Sequence, residues 1–251
     1  MEIYRGVLTG CNDAFIITSE KRDEILANCT TKEERTKTAE IIRPILRGRD
    51  IRKYGYEWAD LWIINTHNGI KGELERIHIE DYPAIKQHLD NYWDKMKPRA
   101  DQGDTVYNLR NCAYLDEFSK PKIVYPNMTK FLPFVYDTSG VVTNQKCFII
   151  TGKHLGYLTA FLNSSLFKYC FADRFPELQG KTRELSKIFM GEIPILEVND
   201  SDEYIINRLM LDIQIEYSVD KAKRIDKFIF DLYHLSSEEQ AHIGFIDYGE
   251  K

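Results

Sequence analysis

The sequence predicts an α+β protein: a body of mixed or antiparallel sheet with packed helices, followed by a C-terminal helical extension. Three observations predict this class. Short apolar runs bounded by turn residues recur along the body, as strands do. Two segments of the body repeat apolar residues every three or four positions, as core-facing helices do. The last quarter of the chain shows only this helical spacing.

The pattern of the first 64 residues predicts strands that are separated by a polar segment. Residues 4–18 are predicted to form a strand, a turn around Gly10 and a second strand. Residues 19–38 are polar, with apolar positions too sparse for a buried helix except around Ile25 and Leu26. The apolar run Leu61–Ile64 is typical of a core strand.

The middle of the chain predicts helices and further strands. A helix is predicted over residues 79–99, because acidic residues and Pro83 open it and Pro98 ends it. The remaining predicted elements are strands at 122–125, 134–136 and 147–150, a helix at 155–171, a polar stretch at 175–187, a strand-like exit at 191–195, and one long helix or a broken pair at 203–235.

Charge is distributed unevenly along the chain. The formal net charge is −5, yet residues 192–251 hold 14 acidic and 6 basic residues, which leaves residues 1–191 with 28 basic and 25 acidic. Seven basic residues fall within twenty positions: Arg35, Lys37, Arg43, Arg47, Arg49, Arg52 and Lys53. Because local fields decide where a polyanion binds, the sign of the whole chain is weak evidence against a nucleic-acid partner.

Several protein classes are excluded by composition. No apolar run approaches the ~20 residues of a membrane helix, and the N-terminal residues lack a signal-peptide layout. The five cysteines are scattered without a C-x-x-C pair, which argues against a zinc ribbon and fits buried thiols in a reducing cytoplasm. We therefore expect a cytoplasmic protein with no membrane partner.

Catalytic motifs are absent from the sequence. It contains no phosphate-binding loop, dinucleotide-binding turn, zinc-protease helix or nucleophile elbow, and its six histidines are too dispersed for a metal site. Pro176 and Glu177, followed by Glu184 and Lys187, loosely match a nuclease pattern, but the aspartate of that pattern is missing. We expect no catalytic residue and no metal ligand in this chain, and a nuclease is a distant third alternative.

Several segments are informative together. Residues 6–17 are GVLTGCNDAFII, and residues 45–54 are ILRGRDIRKY. They resemble the G-x-x-T-G-x-N-x-A-F-x-I opening and the L-R-G-R-D-I-x-x-Y signature of the TaqI-like C-terminal specificity domain. Residues 82–114 and 122–164 are similar to the later parts of that family, and residues 230–239 resemble its closing helix. Residues 162–195 also resemble the end of a Type I specificity-subunit recognition domain.

The resemblance implies a DNA target-recognition domain at residues 1–195, followed by the helical extension at residues 196–251. In this family such a domain serves a bacterial restriction–modification enzyme, of Type IIG or a stand-alone adenine-N6 methyltransferase, by positioning a separate methyltransferase domain on double-stranded DNA. That N-terminal domain carries S-adenosylmethionine and a Pro-Pro motif, and this chain has no Pro-Pro dipeptide. The resemblance therefore implies no cofactor in this chain and two partners, DNA and the methyltransferase domain.

The basic signature contains the first candidate DNA contacts, Arg47, Arg49 and Lys53. Arginine is the usual bidentate partner of guanine, and Gly48 permits close backbone approach. Alternatively, Asp50 pairs with an arginine to hold the loop. Proteins that share this signature recognise different DNA sites, so the signature should serve a function that does not depend on sequence. We therefore favour phosphate contacts or a scaffold role for its residues.

Base reading is expected at two polar loops, and a third candidate, a flexible basic turn, is suited to phosphates. Asparagine and glutamine can read adenine, lysine can read guanine, and threonine offers a hydroxyl and a methyl group. The alternative is that these loops are polar only because they are solvated. The candidate residues are Asn127, Thr129 and Lys130 after one strand, Thr143, Asn144, Gln145 and Lys146 before another, and Lys181 and Arg183 beside Gly180.

A second function remains open at this point. The acidic residues 203–233 would dock a partner subunit, and the body would be a scaffold that does not bind DNA. The apolar spacing at Ile206, Leu209, Met210, Ile213 and Tyr217 demands a partner surface, either the body itself or another domain. Salt separates the two functions, because DNA binding weakens steeply with salt.

Overall fold

A computed structural model describes residues 1–247 and confirms the α+β class. The strands are β1 Glu2–Arg5, β2 Ile16–Thr18, β3 Ile42–Leu46, β4 Leu61–Ile64, β5 Lys122–Pro126, β6 Met128–Thr129, β7 Val135–Asp137, β8 Val142–Thr143, β9 Cys147–Thr151, β10 Glu177–Leu178 and β11 Thr182–Glu184. The helices are α1 Asn12–Phe15, α2 Ser19–Ala27, α3 Lys32–Ile41, α4 Pro83–Asp90, α5 Trp93–Met96, α6 Leu155–Asn163, α7 Ser165–Phe171, α8 Lys187–Gly191, α9 Asp200–Ile215, α10 Val219–Leu232 and α11 Ser237–Ile243.

A central antiparallel sheet divides the hydrophobic interior into two cores. Its strand order is β1-β9-β5-β7, and Ile123 lies opposite Ile150 while Val124 lies opposite Ile149. Successive side chains of a strand point to opposite faces. Ile123 and Ile150 therefore pack into a first core, and Val124 and Ile149 pack into a second core on the other side of the sheet. The predicted strands at 122–125, 134–136 and 147–150 are thus confirmed to within one residue.

A second sheet lies on one side of the central sheet. Its order is β2-β4-β3-β8, and it is mixed because β3 pairs with β8 in parallel. Helices α2, α3 and α4 contribute to the same core. The sequence indicated α2 only around Ile25 and Leu26 and did not indicate α3. Both helices begin at threonine caps, where Thr18 accepts from Lys21 N and Thr31 accepts from Glu34 N.

Several local predictions are wrong. Residues 7–8 form no strand; Val7 makes only an isolated bridge to Asn144, and residues 12–15 are helical. The close approach at Asn144 requires Gly6, where a Cβ atom would lie 2.0 Å from the Asn144 carbonyl oxygen. The helix predicted at 79–99 is broken into α4 and α5, and the helix predicted at 155–171 is broken at Ser164. The polar stretch at 175–187 contains a β-hairpin, and residues 191–195 form no strand.

The C-terminal helices are part of the first core. The predicted broken pair is confirmed as α9 and α10, and Ile206, Met210 and Ile213 are buried against the body. Helix α9 approaches α6 so closely that a Cβ atom on Gly156 would lie 1.8 Å from Asn207 Oδ1. The partner surface that the apolar spacing demanded is therefore supplied by the body itself. No helix among residues 1–247 is long and apolar enough to cross a membrane.

Candidate nucleic-acid interface

The basic signature folds into a short 3₁₀ turn, Gly48–Asp50, held by one carboxylate. Asp50 is 4% exposed and accepts hydrogen bonds from Arg47 N at 2.8 Å, Nε at 3.0 Å and Nη2 at 2.7 Å. This bidentate pairing is the geometry that arginine forms best with carboxylates. Arg47 therefore shapes the turn, as the alternative in the sequence analysis proposed.

The turn is anchored in the first core by Tyr54. This residue is 1% exposed, has a positive φ of 64° and donates its backbone N–H to Phe134 O at 3.2 Å. Burial raises the pKa of its hydroxyl well above the usual value. Lys53 is 7% exposed, and its Nζ lies 5.2 Å from the ring centre of Phe245. It is therefore buried in this structure, and its contact with DNA stays a prediction.

Backbone hydrogen bonds join the turn to the two polar loops. Asn144 N donates to Leu46 O at 3.0 Å, and Asn127 N donates to Lys146 O at 2.8 Å. A Cβ atom on Gly48 would lie 3.1 Å from Lys146 O, which explains the small residue there. Three segments far apart in sequence thus meet at the ends of β3, β5 and β9.

Together they line a concavity of about 570 Å³. Its described lining residues are Arg47, Gly48, Arg49, Ile51, Arg52, Asn127, Met128, Thr129, Lys130, Phe131, Pro133, Asn144, Lys146 and Thr182. Five of these are basic, and no lining residue among those described is acidic. Such a surface favours an anion, because cations grouped in a concave site concentrate a positive field.

The cations differ in their availability. Arg47 is committed to Asp50, and Arg52 pairs with Glu57 at 2.7 Å. Arg49, Lys130 and Lys146 are exposed, and across residues 1–247 none of their charged groups makes a hydrogen bond or an ion pair. These three side chains can therefore contact a phosphate or a base without breaking an internal interaction.

The family of the chain is settled by residues 43–195, which match the family described as the TaqI-like C-terminal specificity domain. This stretch includes the turn and both polar loops. The chain belongs to that family.

The fold of this specificity domain also occurs in a solved structure. The Type IIL restriction-modification enzyme MmeI in complex with DNA aligns with a TM-score of 0.67 and 12% sequence identity, over 96% of this chain. At that identity the likeness shows a shared fold. The present chain spans 34% of the matched protein's length.

The specificity domain carries a small third sheet at the concavity, in the order β10-β11-β6. Arg183 lies opposite Thr129 on one side and Glu177 on the other, so these three side chains share one face. Arg183 donates to Asp173 Oδ1 at 2.9 Å and to Phe175 O at 3.2 Å. Its guanidinium is therefore already engaged inside the protein, and its DNA contact stays a prediction. Glu177 and Glu184 lie on opposite faces, which removes the nuclease-like pairing.

Burial separates the remaining candidates. Thr143 is fully buried and cannot reach a ligand in this conformation. Asn144 and Thr129 border the concavity, but their side chains accept hydrogen bonds from Lys146 N at 3.1 Å and Phe131 N at 3.0 Å. Gln145, half-buried, is held through its carbonyl oxygen by Arg5 Nε at 3.1 Å.

Lys130 and Lys146 remain exposed at the two loops, whereas Asn127 is half-buried and its Oδ1 is not exposed to solvent. Asn127 Oδ1 has no hydrogen-bond partner within the described residues. Lys181 lies at the tip of the β10–β11 hairpin with φ 62°, outside the lining of the concavity. Sequence reasoning missed Met128 and Phe131, because apolar residues beside the polar loops gave no signal for a nucleic-acid surface, and it missed Thr182, because no signal showed that this hairpin residue reaches the concavity.

Proposed function

We propose that this chain recognises a double-stranded DNA sequence for a restriction–modification enzyme. One observation carries the proposal: a concavity built by the family signature and two strand-end loops gathers five basic and no acidic residues among those described. Phosphates are the anions that a long, cation-lined surface suits. Membership of a specificity-domain family and the fold shared with a DNA-bound restriction-modification enzyme support it.

Within this proposal the residues have different roles. Arg49 contacts phosphates, because it is exposed, unpaired among the described residues and adjacent to the scaffold pair of Arg47 and Asp50. Asn127, Lys130 and Lys146 read base edges, since asparagine suits adenine and lysine suits guanine. Asn144 supports the loop that presents Lys146.

The parent protein supplies the chemistry. We propose that its separate domain is an adenine-N6 methyltransferase that uses S-adenosylmethionine, in a cytoplasmic enzyme of Type IIG or a related class. The motifs that the resemblance assigns to that domain are missing from this sequence. The 251-residue chain alone is therefore expected to transfer no methyl group and to cut no DNA. Incubation with labelled S-adenosylmethionine and mixed DNA checks this, and labelled DNA would contradict it.

Binding of the 251-residue chain to a randomised duplex library tests the recognition role. We expect an enriched sequence, and an affinity that falls steeply between low and moderate salt. Replacing Lys130 or Lys146 by Gln, or Asn127 by Ala, should change the accepted base at one position, since a bidentate base contact contributes about 1–3 kcal/mol of discrimination. Lys32→Gln on α3, an exposed lysine outside the concavity, is the matched control.

Two outcomes would contradict the assignments. If no sequence is enriched, the chain does not recognise DNA by itself. If sequence is enriched but all three variants select the same bases as the unmodified chain, the reading residues lie elsewhere, and Lys181 is the next candidate.

A second function, docking of a partner subunit by the C-terminal helices, is favoured by one observation. The outer face of α9 exposes Tyr204 at 64%, Leu211 at 60% and Ile215 at 85%. Apolar docking is insensitive to salt, whereas phosphate binding weakens as counterions compete. If the chain binds a partner subunit with an affinity that survives a tenfold rise in salt concentration, that result would support docking in place of DNA recognition.

A further inference from the structure

One wall of the concavity is apolar. Met128 is 47% exposed, Phe131 is 36% exposed and Leu178, on the adjoining hairpin, is 38% exposed. Met128 and Phe131 line the same concavity as Lys130 and Lys146. Exposed apolar side chains grouped on a cationic surface mark a contact site more strongly than single ones scattered over a protein.

Strand register places these side chains together. Leu178 lies opposite Thr182, and Met128 lies opposite Glu184. Because directly opposed residues share a face and alternate residues of a strand return to it, all four lie on one face of the third sheet. The other face holds Thr129, Arg183 and Glu177, with Arg183 already bonded inside the protein. Met128 and Thr182 of the first face line the concavity together with Thr129 of the other face, so the first face lies along the edge of the concavity.

The chemistry of this face suits base edges better than phosphates. Glu184 would repel a phosphate, but a carboxylate accepts from the amino group of cytosine. Methionine, leucine and the threonine methyl group have no interaction to offer a phosphate oxygen, whereas thymine presents a methyl group in the major groove. The two-stranded hairpin β10–β11, with strands about 5 Å apart, is narrower than the ~12 Å major groove.

We propose that the face formed by Met128, Leu178, Thr182 and Glu184 is a specificity surface that recognises thymine through its methyl group in the major groove. The inference rests on the proposed DNA-recognition function and adds residues that the two polar loops do not contain. It assigns the cations of the concavity to guanine edges and phosphates, and this specificity surface to positions of the target that contain thymine.

The test uses two randomised duplex libraries, one synthesised with thymine and one with uracil, which lacks only the methyl group. The 251-residue chain is selected against both, together with Met128→Ser, Leu178→Ser and the control Leu211→Ser, an exposed leucine on α9. Loss of one buried methyl contact corresponds to about a fourfold change in preference. Thermal melting of each variant confirms that it folds.

We expect the unmodified chain to prefer thymine at one position or more, and to lose about fourfold of that preference in the uracil library. Met128→Ser or Leu178→Ser should lose the same preference in the thymine library, while Leu211→Ser keeps it. This inference is overturned if the enriched sequence is the same in both libraries, or if Met128→Ser and Leu178→Ser both select the same sequence as the unmodified chain. Either result leaves DNA recognition intact. Enrichment of no sequence overturns the recognition function and this inference with it.

Discussion

Arg47 and Arg49 belong to one signature, but the structure predicts different consequences when each is replaced by alanine. Arg47→Ala removes three side-chain hydrogen bonds to Asp50, whose carboxylate is 4% exposed. Of the bonds between these two residues, only the one from the backbone N–H of residue 47 remains. Removing one partner of a fully buried pair costs about 3–5 kcal/mol. Arg47 is 22% exposed, so water partly replaces it, and we expect a loss of about 2–3 kcal/mol in the free energy of unfolding.

Thermal unfolding followed by circular dichroism measures this loss. For a chain of this size each kcal/mol lowers the melting temperature by about 2–4 °C, so Arg47→Ala should melt roughly 4–12 °C below the unmodified protein. Arg49→Ala, the matched control, should stay within about 0.5 kcal/mol because the side chain is exposed. In DNA titrations Arg49→Ala should instead flatten the dependence of log affinity on log salt by about 0.9, the value of one phosphate contact.

A melting temperature of Arg47→Ala equal to that of the unmodified protein would contradict the scaffold role of Arg47. A change of the preferred sequence without a loss of affinity, in either variant, would contradict the assigned roles equally, because a scaffold pair and a phosphate contact serve all sequences alike.

Two further predictions concern the C-terminal helices. Charge reversal at Glu203, Asp212 and Glu216 to lysine should not lower DNA affinity in fluorescence anisotropy, since acidic helices avoid phosphates; melting should fall only slightly, because pairs such as Glu203 with His154 at 2.8 Å are at the surface. A clear loss of affinity would place this face on the DNA. Burial raises the pKa of the Asp226 carboxyl, so its stabilising contribution is present below the unfolded pKa of about 3.9 and is lost as pH rises through the folded pKa. Asp226→Asn should therefore gain stability relative to the unmodified protein as pH rises above about 4 in urea unfolding, and a difference that does not change with pH would contradict this.

The strands that the sequence predicted best are those that the protein buries most completely. Residues 122–125 and 147–150 belong to the central sheet, where both faces meet a core, and the one charged residue among them, Lys122, is buried through its ion pair with Asp137. Helices α2 and α3 lack such an apolar run, since most of their surface faces water and threonine caps help to start them. Periodicity measures apolar burial and does not detect caps.

At the candidate site, sequence reasoning found the segments but not the orientation of each side chain. The polar loops could be predicted to converge because they flank neighbouring strands. The burial of Thr143 and Lys53 depends on β3 and on the C-terminal residues around Phe245, which no local pattern specifies. Arg183 shows the same limit, because its register against Thr129 decides which face it occupies.

The division of the interior by the central sheet has a consequence for how this protein can change. Strands β5 and β9 bury their side chains in two cores, whereas the side chains of Lys130 and Lys146 are exposed beyond the strands, without internal ion pairs among the described residues. Substitutions at these two positions should therefore leave the free energy of unfolding almost unchanged. Selection, natural or in the laboratory, can then exchange one reading residue for another without first having to restore a damaged fold.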